Sequence, residues 1–87
     1  MSIRIEFYGI PKQRAGVDAI DVEAATLGEA LQQLSEPLPQ FADACLSEGR
    51  LQPSFLANIN GENFTTDPRT PLAPGDTVLI LSADAGG

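Results

Sequence analysis

Few residues in this sequence can carry covalent chemistry. None of the 87 is histidine, so the usual neutral-pH acid/base group and metal ligand is missing, and no Ser-His or Cys-His pair can form. The single cysteine, Cys45, cannot close an internal disulfide or hold a metal cluster alone. It falls in a stretch that reads as helical, where a lone thiol is expected as a buried apolar filler. The run "GENFTTDPRT" lacks the Gly-Lys-Ser/Thr ending of a phosphate loop. Carboxylates are abundant but scattered, as on a solvated surface. What stands apart is the ending "LILSADAGG", and in it the main-chain carboxylate of Gly87.

After Ser82 the side chains become small: Ala83, Asp84, Ala85, Gly86, Gly87. Such a tail is expected to be slender and mobile, and glycine backbone can enter a narrow channel at angles closed to other residues. A carboxylate is a poor electrophile. To react it needs a good leaving group, such as adenylate from ATP, after which sulfur or nitrogen can attack the acyl carbon. With glycine at about 7% of residues, a Gly-Gly ending arises by chance in about one chain in 200. The pair alone is therefore a modest signal, and it gains force from the elements that precede it.

Those elements alternate strands with one clear helix. In "SIRIEFYG", Ile3, Ile5 and Phe7 point one way and Arg4, Glu6 and Tyr8 the other, the period of a half-buried strand. "IPKQRAGVD" reads as a turn region through Pro11 and Gly16, and "AIDVEA" as a second strand pairing back in a hairpin. "TLGEALQQLSEP" carries a Thr26-x-x-Glu29 capping box and an apolar stripe of Leu27, Ala30, Leu31 and Leu34, with Pro37 and Pro39 expected to end the helix. "QFADACLSEG" predicts a second short helical turn with Phe41 and Cys45 on one side and Gly49 closing it. "SFLANING" alternates again, with Phe55, Ala57 and Ile59 on one face and Asn60-Gly61 as a turn. "ENFT" follows as a short strand, then the proline-rich loop "TDPRTPLAPGD". "TVLILS" is apolar on both faces, as in a central strand.

This order predicts an α+β fold: a mixed four- to five-stranded sheet with one main helix packed on one face, the layout of a β-grasp, or ubiquitin-like, domain. Residues 1–82 would form that domain and residues 83–87 a flexible tail. Ferredoxins share the layout but need four cluster-ligating cysteines. Composition is that of one small globular domain, 43% hydrophobic and 20% charged. No apolar run suits a membrane span, and the alternating N-terminus is unlike a signal peptide, so a cytoplasmic location is expected. Twelve acidic residues against five basic ones give a net charge of −7. That surface disfavours nucleic acid and anionic membranes and favours a partner with a basic face.

These pieces together resemble the ThiS/MoaD family of ubiquitin-like sulfur carriers, over essentially the whole length. "IRIEFYGIPKQRAG" is similar to the first strand and following loop, where an arginine and a glycine recur near Arg14 and Gly16. "TLGEALQQL" resembles the helix start, "ANINGENF" the Asn-Gly hairpin, "LAPGDTVLIL" the segment entering the last strand, and "AGG" the family ending. Where many molybdopterin-type members carry Pro-Pro before the tail, this chain has "SADAGG". The resemblance implies a protein that is not itself an enzyme and binds no cofactor or metal. A ubiquitin-activating-enzyme-like adenylyltransferase would use ATP to adenylate Gly87, and a sulfur donor protein would convert it to a thiocarboxylate. The tail Ala83, Asp84, Ala85 and Gly86 would then thread into an acceptor enzyme, such as a molybdopterin synthase large subunit. Thiamin, cysteine or another thiolated metabolite are alternative products. A modifier joined to lysines through Gly87 is a further reading, and a non-covalent β-grasp adaptor a third.

If Ile3, Ile5, Phe7, Val78 and Ile80 face the helix, then Tyr8, Leu79 and Leu81 face away, and Phe64 can join them. This apolar cluster beside the tail is the expected docking surface for partners.

Overall fold

A computed structural model describes residues 2–86. Five strands form one sheet: β1 (Ile3–Phe7), β2 (Ala19–Val22), β5 (Phe55–Ile59), β6 (Asn63–Thr65) and β7 (Thr77–Ser82), in the spatial order β2-β1-β7-β5-β6. β1 and β7 run parallel, with Ile5 opposite Val78 and Phe7 opposite Ile80. The other pairings are antiparallel. β7 is central, which explains why apolar residues occupy both of its faces. A parallel pair formed by the first and last strands forces the chain between them to cross over the sheet. The helices lie on that crossover. This is a β-grasp fold.

Alternation decides which face is buried. Ile3, Ile5, Phe7, Ala57, Ile59, Val78 and Ile80 are all in the core. From the helical side Leu27, Ala30, Leu31, Leu34, Phe41 and Cys45 meet them. The Phe7 and Phe41 rings pack edge to face with centroids 5.1 Å apart, a favoured aromatic geometry.

The helical layer is shared among short helices, and its details correct several expectations. "IPKQRA", expected as a turn region, forms α1 (Ile10–Ala15). Pro11 lies in its first turn, where the missing N–H costs nothing, and Gly16 caps it at φ +74° with its N–H donating to the Lys12 carbonyl. Six residues are too few to show a helical period, so the turn residues dominated the sequence signal. α2 (Leu27–Gln32) begins at the capping box as expected: Thr26 Oγ1 accepts from the Glu29 N–H at 3.2 Å. Glu29 Oε1 in turn accepts from the Ala25 N–H at 2.9 Å. The other first-turn amides are taken by the proline-rich loop, Leu27 N–H by the Thr70 carbonyl (2.9 Å) and Gly28 N–H by that of Pro68 (2.8 Å). A side chain at Gly28 would put Cβ 3.0 Å from Pro68 Cβ and 3.1 Å from its carbonyl oxygen. The close approach of loop to helix therefore needs glycine there.

α2 stops at Gln32, earlier than Pro37, and Leu34 reaches the core from the turn that follows. Pro39 does not end a helix but opens the next, α3 (Pro39–Cys45), which buries Phe41 and Cys45 as the sequence predicted. Gly49 is no helix cap. It sits with Glu48 at the turn of a small hairpin, β3 (Leu46–Ser47) and β4 (Arg50–Leu51). Their φ values of +77° and +53° are the paired positive angles of a tight hairpin turn. Among the described residues no helix is long and apolar enough to cross a membrane.

Candidate functional site

The end of β7 fixes where the chain leaves the sheet. Ser82 lies opposite Phe55, and the Ala83 N–H donates to the Ser54 carbonyl at 2.8 Å. Beyond it, Ala83–Gly86 forms a single helical turn, α4, an element the sequence did not foretell. Asp84 is exposed. Gly87, the expected site of activation, lies outside the described residues.

The register of the strands sets what surrounds that exit on the face away from the helices. Glu6 is opposite Leu79, Leu79 opposite Asn58, and Asn58 opposite Phe64. Glu6, Leu79, Asn58 and Phe64 thus form one row across β1, β7, β5 and β6. Leu81 lies opposite Leu56, and Tyr8 follows β1 one step past the Phe7–Ile80 pair, with its N–H donating to the Ile80 carbonyl.

Of the four expected docking residues, Tyr8 and Phe64 are the most open, at 58% and 59% exposure. Leu79 is half-buried. Leu81 corrects the expectation. It does face away from the helical core and is not part of that core cluster, yet it is only 6% exposed. β7 is central, with strands paired on both sides, and the chain folds back into α4 directly after it, so its outer apolar residues are covered more than alternation suggests. Leu81 supports the surface from beneath.

Two further residues belong to this face. Asn58 is buried, the one polar residue so placed among those described. Glu6 stands across Leu79 from it in the row, with Oε2 accepting from Arg4 Nε at 2.8 Å. A shallow cleft runs between them, lined by Glu6, Asn58, Asn60, Gly61, Thr77 and Leu79. The alternation of "FLANIN" places Asn58 outward, but a polar residue facing outward reads as solvated. Its burial depends on neighbours from other strands, which spacing along the chain does not reveal.

The cleft ends at a tight polar knot. Asn60 Nδ2 donates to Asp76 Oδ1 at 2.9 Å, Asn60 Oδ1 accepts from the Thr77 N–H at 2.8 Å, and Asp76 Oδ2 accepts from the Ala73 N–H at 2.8 Å. The Ala73 amide, then the Asn60 side chain, hold the Asp76 carboxyl below the usual carboxylate range. Cys45 is on the other side of the sheet, fully buried, and burial pushes its thiol up to about 11. At neutral pH it is protonated and a weak nucleophile. Among the described residues no group of three or more metal-ligating side chains is gathered.

A sequence model of the ThiS family matches residues 5–87, the Gly-Gly pair included. Comparison with curated protein sequences gave no match. Among solved structures, SAMP1 from Haloferax volcanii, a small archaeal modifier protein, superposes with a TM-score of 0.83 at 23% identity, covering 100% of both chains. CysO in the Amycolatopsis orientalis BexX/CysO complex gives 0.78 at 19% identity, over 98% of this chain and 99% of that one. A provisional molybdopterin converting factor subunit 1 from Pyrococcus furiosus gives 0.74 at 17%, over 94% and 97%. At these identities the likeness carries the fold.

Proposed function

The chain belongs to the ThiS family, and from that premise we propose that it is a sulfur carrier whose working group is the carboxylate of Gly87. An adenylyltransferase of the ubiquitin-activating type transfers AMP from ATP to that carboxylate, and pyrophosphate leaves. The persulfide of a sulfur donor protein then attacks the acyl carbon and AMP leaves, giving an acyl disulfide; a thiol attacks the donor cysteine's sulfur, forms a disulfide with it, and releases the terminus as a thiocarboxylate. The acceptor enzyme takes the sulfur into a small-molecule precursor, most simply as the large subunit of a molybdopterin synthase would. The chain supplies no acid or base to these steps; its partners do. Its part is to present the terminus, with small residues from Ala83 onward, beside the docking face of Tyr8, Phe64 and Leu79.

The observation that carries this reading is the extent of the family match, which runs from β1 through Gly86 and Gly87. The absence of histidine and the protonated, buried state of Cys45 support it, since they leave the terminus as the reactive group. The test is ATP–pyrophosphate exchange by a candidate adenylyltransferase with the chain as substrate. Exchange is expected with the full chain and is lost on deletion of Gly86 and Gly87. Gly87→Ala slows it sharply, because the reacting carboxyl is displaced within a narrow channel. Exchange that survives the deletion would refute the reading.

A second reading is a protein modifier. The likeness to a small archaeal modifier protein supports it, and the activation step is the same. The two part at the product: a carrier ends as a thiocarboxylate, a modifier as an amide on another protein's lysine.

A further inference from the structure

Asn60-Gly61 is the one Asn-Gly step in the chain, and both residues are exposed at the turn after β5, on the rim of the outer cleft. Such a step can react with itself. The Gly61 main-chain nitrogen attacks Cγ of Asn60, the Cγ–Nδ2 bond breaks, and the amide group leaves as ammonia with the Gly61 amide proton. The product is a cyclic succinimide. Water then opens the ring to aspartate or, with the main chain rerouted through the side chain, to isoaspartate. Water is the only co-reactant. Glycine leaves the attacking nitrogen unshielded, because it has no Cβ.

The fold holds the Asn60 side chain against this reaction. Ring closure needs the carboxamide to swing free and turn its face to the Gly61 nitrogen, with the reacting atoms about 3–3.5 Å apart and aligned. Both ends of the carboxamide are instead taken. Nδ2 donates to Asp76 Oδ1 at 2.9 Å, and Oδ1 accepts from the Thr77 N–H at 2.8 Å. The Asn60 N–H donates to the Thr77 carbonyl at 2.8 Å, so main chain and side chain are both bound to the start of β7. The Glu62 N–H closes the turn on the Ile59 carbonyl at 3.0 Å. The bond to Asp76 is charge-assisted and the strongest kind in the set.

We propose that Asn60 is a self-modification site, a latent deamidation site that Asp76 and Thr77 hold shut. The reaction runs only through local opening of the turn, at a rate set by the fraction of chains in which these bonds are broken. Its product cannot restore them. An oxygen replaces Nδ2 and meets the Asp76 carboxylate, acceptor against acceptor and like charge against like. Each lapse of the knot therefore marks the chain irreversibly and removes the anchor of β7. The inference concerns the chain's own chemistry and stands apart from the carrier reading.

The test follows deamidation of the full chain at neutral pH by peptide mass mapping, in native buffer and in denaturant. Native wild type is expected to react at least about tenfold more slowly than the unfolded chain. Asp76→Ala removes the acceptor of Nδ2. It is expected to speed the native reaction about tenfold, as loss of one charge-assisted bond implies, and to leave the unfolded rate unchanged. Leu34→Ala, which opens a cavity under the helices and leaves the knot intact, is expected to react at nearly the wild-type native rate. Gly61→Ala is expected to slow the reaction in denaturant, since Cβ then shields the nitrogen. Asn60→Asp, which carries the product's charge, is expected to melt at a lower temperature than the wild type. A native wild-type rate equal to the unfolded one would overturn the proposal. So would an Asp76→Ala rate no faster than the wild type, or equal acceleration by Leu34→Ala, which would route the reaction through global unfolding. An undiminished rate in unfolded Gly61→Ala would refute attack by that nitrogen, and an unchanged melting temperature in Asn60→Asp would refute loss of the anchor.

Discussion

Asn60 and Asp76, sixteen residues apart, hold each other across the base of the central strand. Asn60 Nδ2 donates to Asp76 Oδ1 at 2.9 Å, and both side chains then cap main-chain N–H groups, of Thr77 and Ala73. The Asn-Gly turn after β5 and the Pro-Gly-Asp turn before β7 are thereby joined into one unit. Asn60 adopts φ +56°, an angle that asparagine tolerates better than most residues. The start of β7, and with it the register that aligns Glu6, Leu79, Asn58 and Phe64, is fixed at this point.

The knot should make stability depend on acid. The Asp76 pKa is lowered in the fold, so its contribution is complete above the unfolded value of about 4 and is lost as pH falls through the lower folded value. Asp76→Asn keeps the shape but weakens the charge-assisted bonds, and should cost about 1–2 kcal/mol at pH 7. Denaturant unfolding of both proteins from pH 7 down to pH 3 checks this. The gap between them is expected to narrow as pH falls.

Cys45 gives the opposite sign at high pH. Its folded pKa of about 11 exceeds the model thiol value of 9.0. The unfolded chain therefore loses the proton first, and stability that is full below about pH 8 declines between the two values, by at most about 2–3 kcal/mol. Cys45→Ala removes this part of the alkaline slope. A thiol-alkylating reagent at pH 7.5 should label the native chain far more slowly than the unfolded one. Equal rates would mean that the thiol is open to solvent.

The outer face separates support from contact. Leu81, buried beneath that face, should cost about 2–4 kcal/mol when changed to alanine. Phe64, largely exposed, should cost less than about 0.5 kcal/mol when changed to alanine, yet weaken binding to the adenylyltransferase. Chemical denaturation and a binding isotherm on each variant measure the two effects independently. A Phe64→Ala chain that binds as tightly as the wild type would remove Phe64 from the docking surface.

The sequence displayed the sheet well, because side-chain alternation in "IRIEF" and "FLANI" is a local property that burial simply confirms. The Thr26–Glu29 capping box and the Asn60-Gly61 turn were legible for the same reason: both ends of each interaction lie within a few residues. What could not be read depends on distant partners or on very short elements. α1 hides because Pro11 and Gly16 serve as helix start and stop in a segment too brief to show a period. Gly49 looked like a helix cap because a glycine at positive φ serves caps and hairpin turns alike. Leu81 looked exposed because alternation gives the face of a residue but not what neighbouring strands place over it. The terminal pair gained its weight from the strand order that precedes it, while the small helical turn leading to it was not legible in the sequence.

The central claim is that sulfur travels on the main-chain terminus. Intact mass spectrometry of the chain after incubation with the adenylyltransferase, ATP, a persulfide sulfur donor and a thiol reductant tests it most directly. The account predicts a product in which one oxygen is replaced by sulfur, mapping to the C-terminal peptide that ends at Gly87 and absent when Gly86 and Gly87 are deleted. An unchanged mass under conditions where ATP is consumed, or sulfur found on Cys45 instead, would contradict it.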